Sequence, residues 1–153
     1  MTNAKIFIAS DHAGFELKNK LIKYLTLSYN IVDLGPTDFD ADDDYPDYAI
    51  KLCREIIQDK NSRGILICGS GQGMDRVANK FPGIDAAVVW DDFSTKVAIE
   101  HGFVNILCFG QKSVEFNQAK EYVTSWLKSV PKIEERHKRR IRKIRLLEKE
   151  LFK

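Results

Sequence analysis

A cysteine runs at once into alternating glycines in Cys68-Gly69-Ser70-Gly71-Gln72-Gly73, and no other stretch of the chain is so well equipped for chemistry. Glycine lets the backbone come close to a ligand, and N–H groups at a turn or helix start attract negative charge. The same field favours the thiolate form of a nearby cysteine. A thiol beside such an anion hole suits proton transfer next to a carbonyl. Free cysteine is otherwise most often a small buried core residue. The glycine turn separates Cys68 from Cys53 and Cys108, which lack that context and are read as core. The turn has no lysine of the phosphate-loop kind. It also follows the third strand-like run, whereas a dinucleotide fingerprint usually follows the first, so nucleotide binding is poorly supported.

A second group is Ser10-Asp11-His12-Ala13-Gly14-Phe15. Asp11-His12 suits binding of sugar hydroxyls, ring opening or a phosphate; equally, an aspartate ahead of a helix is ordinary capping. His101, in Ile99-Glu-His-Gly-Phe103, is either a catalytic group or a surface histidine favoured by a helix C-terminus. Arg136 and Arg140 lie one turn apart on one helical face and could grip a phosphate from two sides. The acidic run 38–44 reads as a solvated connection. A calcium loop there would need a glycine and a closing glutamate that it lacks. The three cysteines are odd in number and without metal-type spacing, so neither a disulfide framework nor a zinc site is expected.

These groups need a scaffold, and the hydrophobic pattern supplies one. Strands are expected at Lys5–Ser10, Asn30–Gly35, Gly64–Cys68, Ile84–Trp90 and Asn105–Gly110. Helices are expected near 14–28, 47–60, 73–80, 93–101, 113–129 and 132–151. Apolar runs that are continuous rather than alternating indicate a parallel sheet covered on both faces. The expectation is a three-layer, Rossmann-like α/β domain over residues 1–153, with a five-stranded parallel sheet and a long basic C-terminal helix. That helix carries Ile141, Ile144, Leu147 and Leu151 on one face, for packing on its own domain or on a partner. Ligands of such sheets bind beyond the carboxyl ends of the strands. If the first and third strands are neighbours, Asp11, His12 and Cys68 face one cleft. His101 falls at the opposite edge, roughly 17–20 Å away by strand length. A site using both His101 and Cys68 would then be shared between two subunits.

The chain has 153 residues, enough for one substantial core, with 44% hydrophobic and 30% charged residues, as in a soluble protein. It has no apolar run of membrane length and no signal-peptide core, so a cytoplasmic location is expected. The net charge of +2 conceals a division: residues 132–153 carry +6 and the remainder −4. An acidic body and a basic helix with few aromatics argue against nucleic acid as a partner.

Taken together, these segments resemble the ribose-5-phosphate isomerase B family, which includes the galactose-6-phosphate isomerase subunits. Further carriers are Asp44-Tyr45-Pro46-Asp47-Tyr48-Ala49, Ile65-Leu66-Ile67 ahead of the cysteine, Ala78-Asn79-Lys80, Gly83-Ile84, Asn105-Ile106-Leu107 and Arg136-His137. The resemblance spans nearly the whole chain. It implies a homodimeric or tetrameric aldose–ketose isomerase that uses no metal or other cofactor and acts on a phosphorylated sugar, most simply ribose 5-phosphate. Carried over, Cys68 takes the C2 proton, Ser70 helps move the hydroxyl proton and His101 assists ring opening. The N–H groups of Gly69, Gly71 and Gly73 meet the enediolate oxygen. Asp11 and Tyr45 position the sugar, while His12, Arg136 and Arg140 hold the phosphate. A branch of the family that lacks the cysteine uses a glutamate where this chain has Met74, which places this chain in the cysteine branch. The chain departs from the family at Gly102, usually Asn; at Lys112, usually a phosphate-binding Arg; and at Asp85 and Ile99, both usually Arg. Loss of a donor at Gly102 would cost a few kcal/mol of barrier if nothing replaces it. Lys112 keeps the charge but not the bidentate fork. These changes leave two alternatives: an isomerase of another sugar phosphate, or a weakly active sugar-phosphate-binding paralogue that needs a partner subunit.

Overall fold

The computed structural model describes residues 4–101, 103–130 and 133–152. Five strands, β1 (Lys5–Ser10), β2 (Asn30–Asp33), β3 (Arg63–Cys68), β4 (Ala86–Val88) and β5 (Ile106–Gly110), pair in parallel in the order β2-β1-β3-β5-β4. Six helices accompany them: α1 (Phe15–Leu25), α2 (Tyr45–Gln58), α3 (Gln72–Ala78), α4 (Asp92–His101), α5 (Phe116–Lys128) and α6 (Glu135–Leu151). This is the expected Rossmann-like α/β arrangement.

Side-chain alternation along each strand divides the core into two layers. Ile6, Ile8, Ile65, Ile67, Leu107 and Phe109 face α1 and α5, where Leu17, Leu21, Val123 and Trp126 cover them. Phe7, Ala9, Leu66, Cys68, Ile106 and Cys108 face α2 and α3, against Leu52, Cys53, Ile56 and Met74. Cys68 is thus the last residue of a buried strand on the α2–α3 face.

The chain leaves β1 in one direction to form β2, then crosses back to β3, so β1 and β3 flank the switch point of the sheet. Their ends are level: Ser10 pairs with Ile67, and Cys68 with Gly110 of β5. A buried cation secures this edge. Lys18 of α1 donates from Nζ to both oxygens of Asp33, at 2.9 and 2.8 Å, and to the Pro36 carbonyl at 2.9 Å. All three ammonium donors find acceptors, as a buried ammonium requires. The loop leading into the acidic segment is thereby tied to α1.

Element ends depart from the sequence expectation where local hydrogen bonds intervene. β2 stops at Asp33, because its Oδ1 accepts from Gly35 N–H at 2.9 Å and Gly35 turns to φ +105°. β4 is short because Trp90 N–H is given to Ser94 Oγ at 3.0 Å, which opens α4. α2 begins at Tyr45, with Pro46 in the first turn, where its missing N–H costs nothing. In α6 only His137 is buried, while Ile144, Leu147 and Leu151 are exposed. Among the described residues no helix is long and apolar enough to cross a membrane.

Candidate active site

A cleft of about 690 Å³ opens at the carboxyl ends of β1, β3 and β5, within the usual ligand-pocket range of roughly 300–1,000 Å³. Asp11, Tyr45, Cys68, Gly69, Ser70, Gly73 and Lys112 line it, all anticipated from the sequence. Gln72, inside the glycine turn, lines it as well, as do Val88, Trp90 and Ser113, which nothing in their sequence context marked.

Cys68 is 5% exposed. Its Sγ accepts the Gly71 N–H at 3.1 Å. A donor aimed at sulfur interacts more strongly with the anion than with the neutral thiol. One N–H assigned from the sequence to an oxyanion hole is therefore directed at the sulfur instead. Burial pushes the Cys53 thiol up to about 12 and the Cys108 thiol well above its ordinary value.

The glycines have separate tasks. Gly71 sits at φ +80°, a left-handed conformation that disfavours any Cβ, and Val88 Cγ1 and the Phe109 carbonyl carbon would lie 3.0 Å from such an atom. Gly73 leaves room for Tyr45, whose ring carbon Cζ would stand 2.8 Å from a Cβ there. This close approach brings the first residue of α2 onto the first turn of α3. At Gly69 a Cβ would meet only ordinary contacts, from Ala13 at 3.6 Å and the Lys112 stem at 3.8 Å. Ser70 is exposed, and its Oγ accepts weakly from Gln72 N–H at 3.4 Å.

Asp11 is the helix cap that its position suggested, and it also borders the cleft. Its Oδ1 accepts from Gly14 N–H at 3.1 Å, capping the short 3-10 turn His12–Gly14, while its carboxylate lines the cleft. Burial raises its pKa, and the neighbouring His12 opposes that rise. His12 is held by a partner that the sequence did not reveal. Asp43 Oδ1 accepts from His12 N–H at 2.9 Å and lies 2.6 Å from His12 Nδ1. This hydrogen bond is the main cause of a raised His12 pKa. Asp43 comes from the run read as a solvated connection; with five aspartates among seven residues, no pattern distinguishes the one that turns inward. Asp11, His12 and Asp43 place their potential ligand atoms within 4.8 Å of one another. The His12–Asp43 separation is that of a hydrogen bond, so Nδ1 is engaged by a carboxylate rather than presented to a cation.

His101, Arg136 and Arg140 lie outside this cleft. His101 ends α4 and lines an apolar groove of about 360 Å³ with Ala87, Val88, Trp90, Phe93, Val97 and Val104. Its ring stands against His137 of α6, centroids 4.2 Å apart. Burial and the neighbouring His101 lower the His137 pKa. Arg136 pairs through Nε with Glu134 at 2.7 Å, and Arg140 is exposed on the same helix. Val88 and Trp90 line both the groove and the Cys68 cleft, so the two hollows share a wall. Asp85, one of the departures from the family pattern, pairs with Arg145 of α6. Arg145 also meets Glu148 at 2.7 Å, and Glu148 in turn accepts from Gly83 N–H at 3.3 Å. Asp85 thus anchors α6 to its own chain. Gly102 falls outside the described residues.

Comparison with known proteins agrees with this arrangement. The family model described as Ribose/Galactose Isomerase matches residues 6–144. A probable ribose-5-phosphate isomerase B of Mycoplasma pneumoniae is 42% identical, over 97% of this chain and 97% of its own. A crystal structure of ribose-5-phosphate isomerase B from Mycoplasma genitalium with bound ribulose-5-phosphate superposes with a TM-score of 0.90. It has 41% identity and covers 95% of this chain and 97% of that one. The Clostridium thermocellum ribose-5-phosphate isomerase B structure gives a TM-score of 0.89 with 36% identity, over 96% and 99%. With a parallel sheet of the same shape and likeness along nearly its whole length, this chain belongs to the ribose/galactose isomerase family of sugar-phosphate isomerases.

Proposed function

We propose that the chain interconverts ribose 5-phosphate and ribulose 5-phosphate, acting as one unit over its whole length. The observation that carries this reading is Cys68, on the wall of a ligand-sized cleft and hydrogen-bonded by Gly71 N–H, in a fold 41% identical to one seen with ribulose-5-phosphate bound. In the proposed reaction Cys68 removes the proton from C2 of the open-chain aldose, leaving an enediolate. That proton returns at C1, while a hydroxyl proton moves from O2 to O1 with the help of Ser70. The N–H groups of Gly69 and Gly73, in the same turn, meet the developing oxyanion. Asp11 and Tyr45 orient the sugar hydroxyls. His12 and Lys112 supply positive charge for the phosphate on this side of the cleft. No metal or other cofactor enters these steps.

The remaining groups, His101, Arg136 and Arg140, come from a second copy in this reading. Trp90, 55% exposed, and Phe93 give the edge beside β4 and α4 an apolar surface suited to a homodimer, which in turn can pair into a tetramer. His101 of one copy then opens the sugar ring in the cleft of the other. The expected setting is the cytoplasm.

Turnover of the purified chain on ribose 5-phosphate, with Cys68→Ala as control, tests the assignment. Loss of at least about a thousandfold in kcat with retained fold is expected when a proton-transfer base is removed. Near-normal turnover in the variant would end the cysteine assignment. Lys112, in place of the family's arginine, favours a second reading in which another sugar phosphate is preferred. A panel of tetrose, pentose and hexose phosphates distinguishes the two. A parent chain that binds sugar phosphates without turning any of them over would point to a paralogue needing a partner subunit.

A further inference from the structure

Of the five aspartates between residues 38 and 44, four are exposed and Asp43 is turned inward, its side chain 6% exposed. One oxygen of this carboxylate, Oδ1, holds both the backbone and the ring of His12, at 2.9 and 2.6 Å, across 31 residues of chain. The His12 side chain itself is 36% exposed. With Nδ1 engaged by Asp43, Nε2 is the ring nitrogen left for a ligand. Phe39 stands edge-on to the imidazole, centroids 6.4 Å apart at 89°, and Phe15 edge-on to Phe39, at 5.9 Å and 73°. The ring is therefore fixed by a carboxylate at one nitrogen and an aromatic edge at its side. Lys18, through Asp33 and Pro36, ties down the start of the loop that carries Asp43.

We propose that Asp43 is the positioning residue of the phosphate grip, clamping His12 by backbone and ring so that Nε2 is presented as a charged donor to the substrate phosphate. The proposal rests on the isomerase reading above, in which His12 meets that phosphate. Its physical content is preorganisation. A ring locked before the ligand arrives loses little freedom on binding, and a buried carboxylate behind it stabilises the imidazolium facing a phosphate dianion. Among the described residues, the charged groups facing the His12 ring are Asp11 beside it and Asp43 from the loop before α2. Both raise its pKa: the Asp43 hydrogen bond contributes most, desolvation opposes it as the next-largest effect, and the Asp11 charge adds less. Asp43 also faces Tyr48 of α2, whose phenol is raised by burial and by Asp43.

The pH dependence has a definite sign. A raised His12 pKa keeps the imidazolium present below that value, so phosphate affinity is lost at higher pH than it would be with an ordinary histidine. Asp43→Asn keeps an oxygen at Oδ1, and with it the shape of the clamp, but removes the charge. In this variant of the full chain, KM for ribose 5-phosphate and the competitive inhibition constant for inorganic phosphate should both rise about tenfold at pH 7.5, with kcat changed less than about threefold. The alkaline fall in kcat/KM should move to lower pH. A His12→Asn background should abolish the effect of Asp43→Asn, because the carboxylate acts through the ring. An equal effect in that background, a change confined to kcat, or an unmoved pH profile would overturn the proposal. Nitrogen-15 NMR of the unaltered protein gives a reading independent of how the variant folds. His12 should carry its proton on Nδ1 when neutral and titrate above an ordinary histidine; an Nε2–H tautomer or a depressed titration would sink the idea. Absence of ribose 5-phosphate turnover in the parent chain, by contrast, would remove the isomerase reading and with it the role assigned to His12. The NMR result would then report only the clamp.

Discussion

At the scale of single residues, the site depends on backbone shapes that few side chains permit. Gly71 combines a left-handed φ of +80° with close walls on two sides, whereas Gly83 has a nearly identical φ of +82° and nothing within 4 Å of a Cβ. The pair separates conformational cost from crowding. Gly83→Ala should lose on the order of 1–2 kcal/mol, the cost of the conformation alone. Gly71→Ala should lose more, about 2–4 kcal/mol, because Val88 and the backbone at Phe109 must also move. Denaturant unfolding of both variants checks the difference, and equal losses would show that the Gly71 turn has room to spare. Gly71→Ala should also reduce turnover, since the N–H that it displaces is the one donated to Cys68. Cys68 and its glycine turn, as lining of the cleft, were legible because their order is local: an apolar strand, a thiol, a turn. Asp43 was not, because its partner is 31 residues away and its neighbours are chemically the same.

At the scale of elements, hydrophobic runs located every strand and helix, and the errors lie at the ends. β4 and β2 end early where a side-chain acceptor captures a backbone N–H, a competition that periodicity does not encode. The attachment of α6 was equally hidden. Its apolar residues suggested packing on its own domain or on a partner; the contacts that tie it to its own chain include Asp85–Arg145, Glu148–Gly83 and the His101–His137 pair. Asp85, which by family pattern alone looked like a lost arginine, is the acidic half of this attachment. Asp85→Arg should set two cations against each other and reduce the hydrogen-exchange protection of α6 amides. Adding Arg145→Glu should restore it, with a coupling of about 1 kcal/mol as expected of a partly exposed pair. Failure of the second change to rescue the first would mean that α6 is held by other contacts.

At the scale of the whole molecule, the groups assigned to one reaction lie in two places, the Cys68 cleft and the His101 groove, with Arg136 and Arg140 on α6. A site completed by a second copy can be tested by complementation. Cys68→Ala and His101→Ala chains, each inactive alone, should on mixing and reassembly regain about a quarter of parental activity, since half of the dimers are mixed and each holds one intact site. No recovery would place His101 outside the reaction or the cleft within one chain. The wall shared by the two hollows has a practical consequence. The chain has two tryptophans: Trp126 is buried in the core, and Trp90 stands half in solvent on that wall. Emission from Trp126 should stay constant while that from Trp90 shifts to shorter wavelength as its surroundings dry. Intrinsic fluorescence therefore provides a label-free optical test of the proposed subunit association in the groove and of ligand arrival in the cleft.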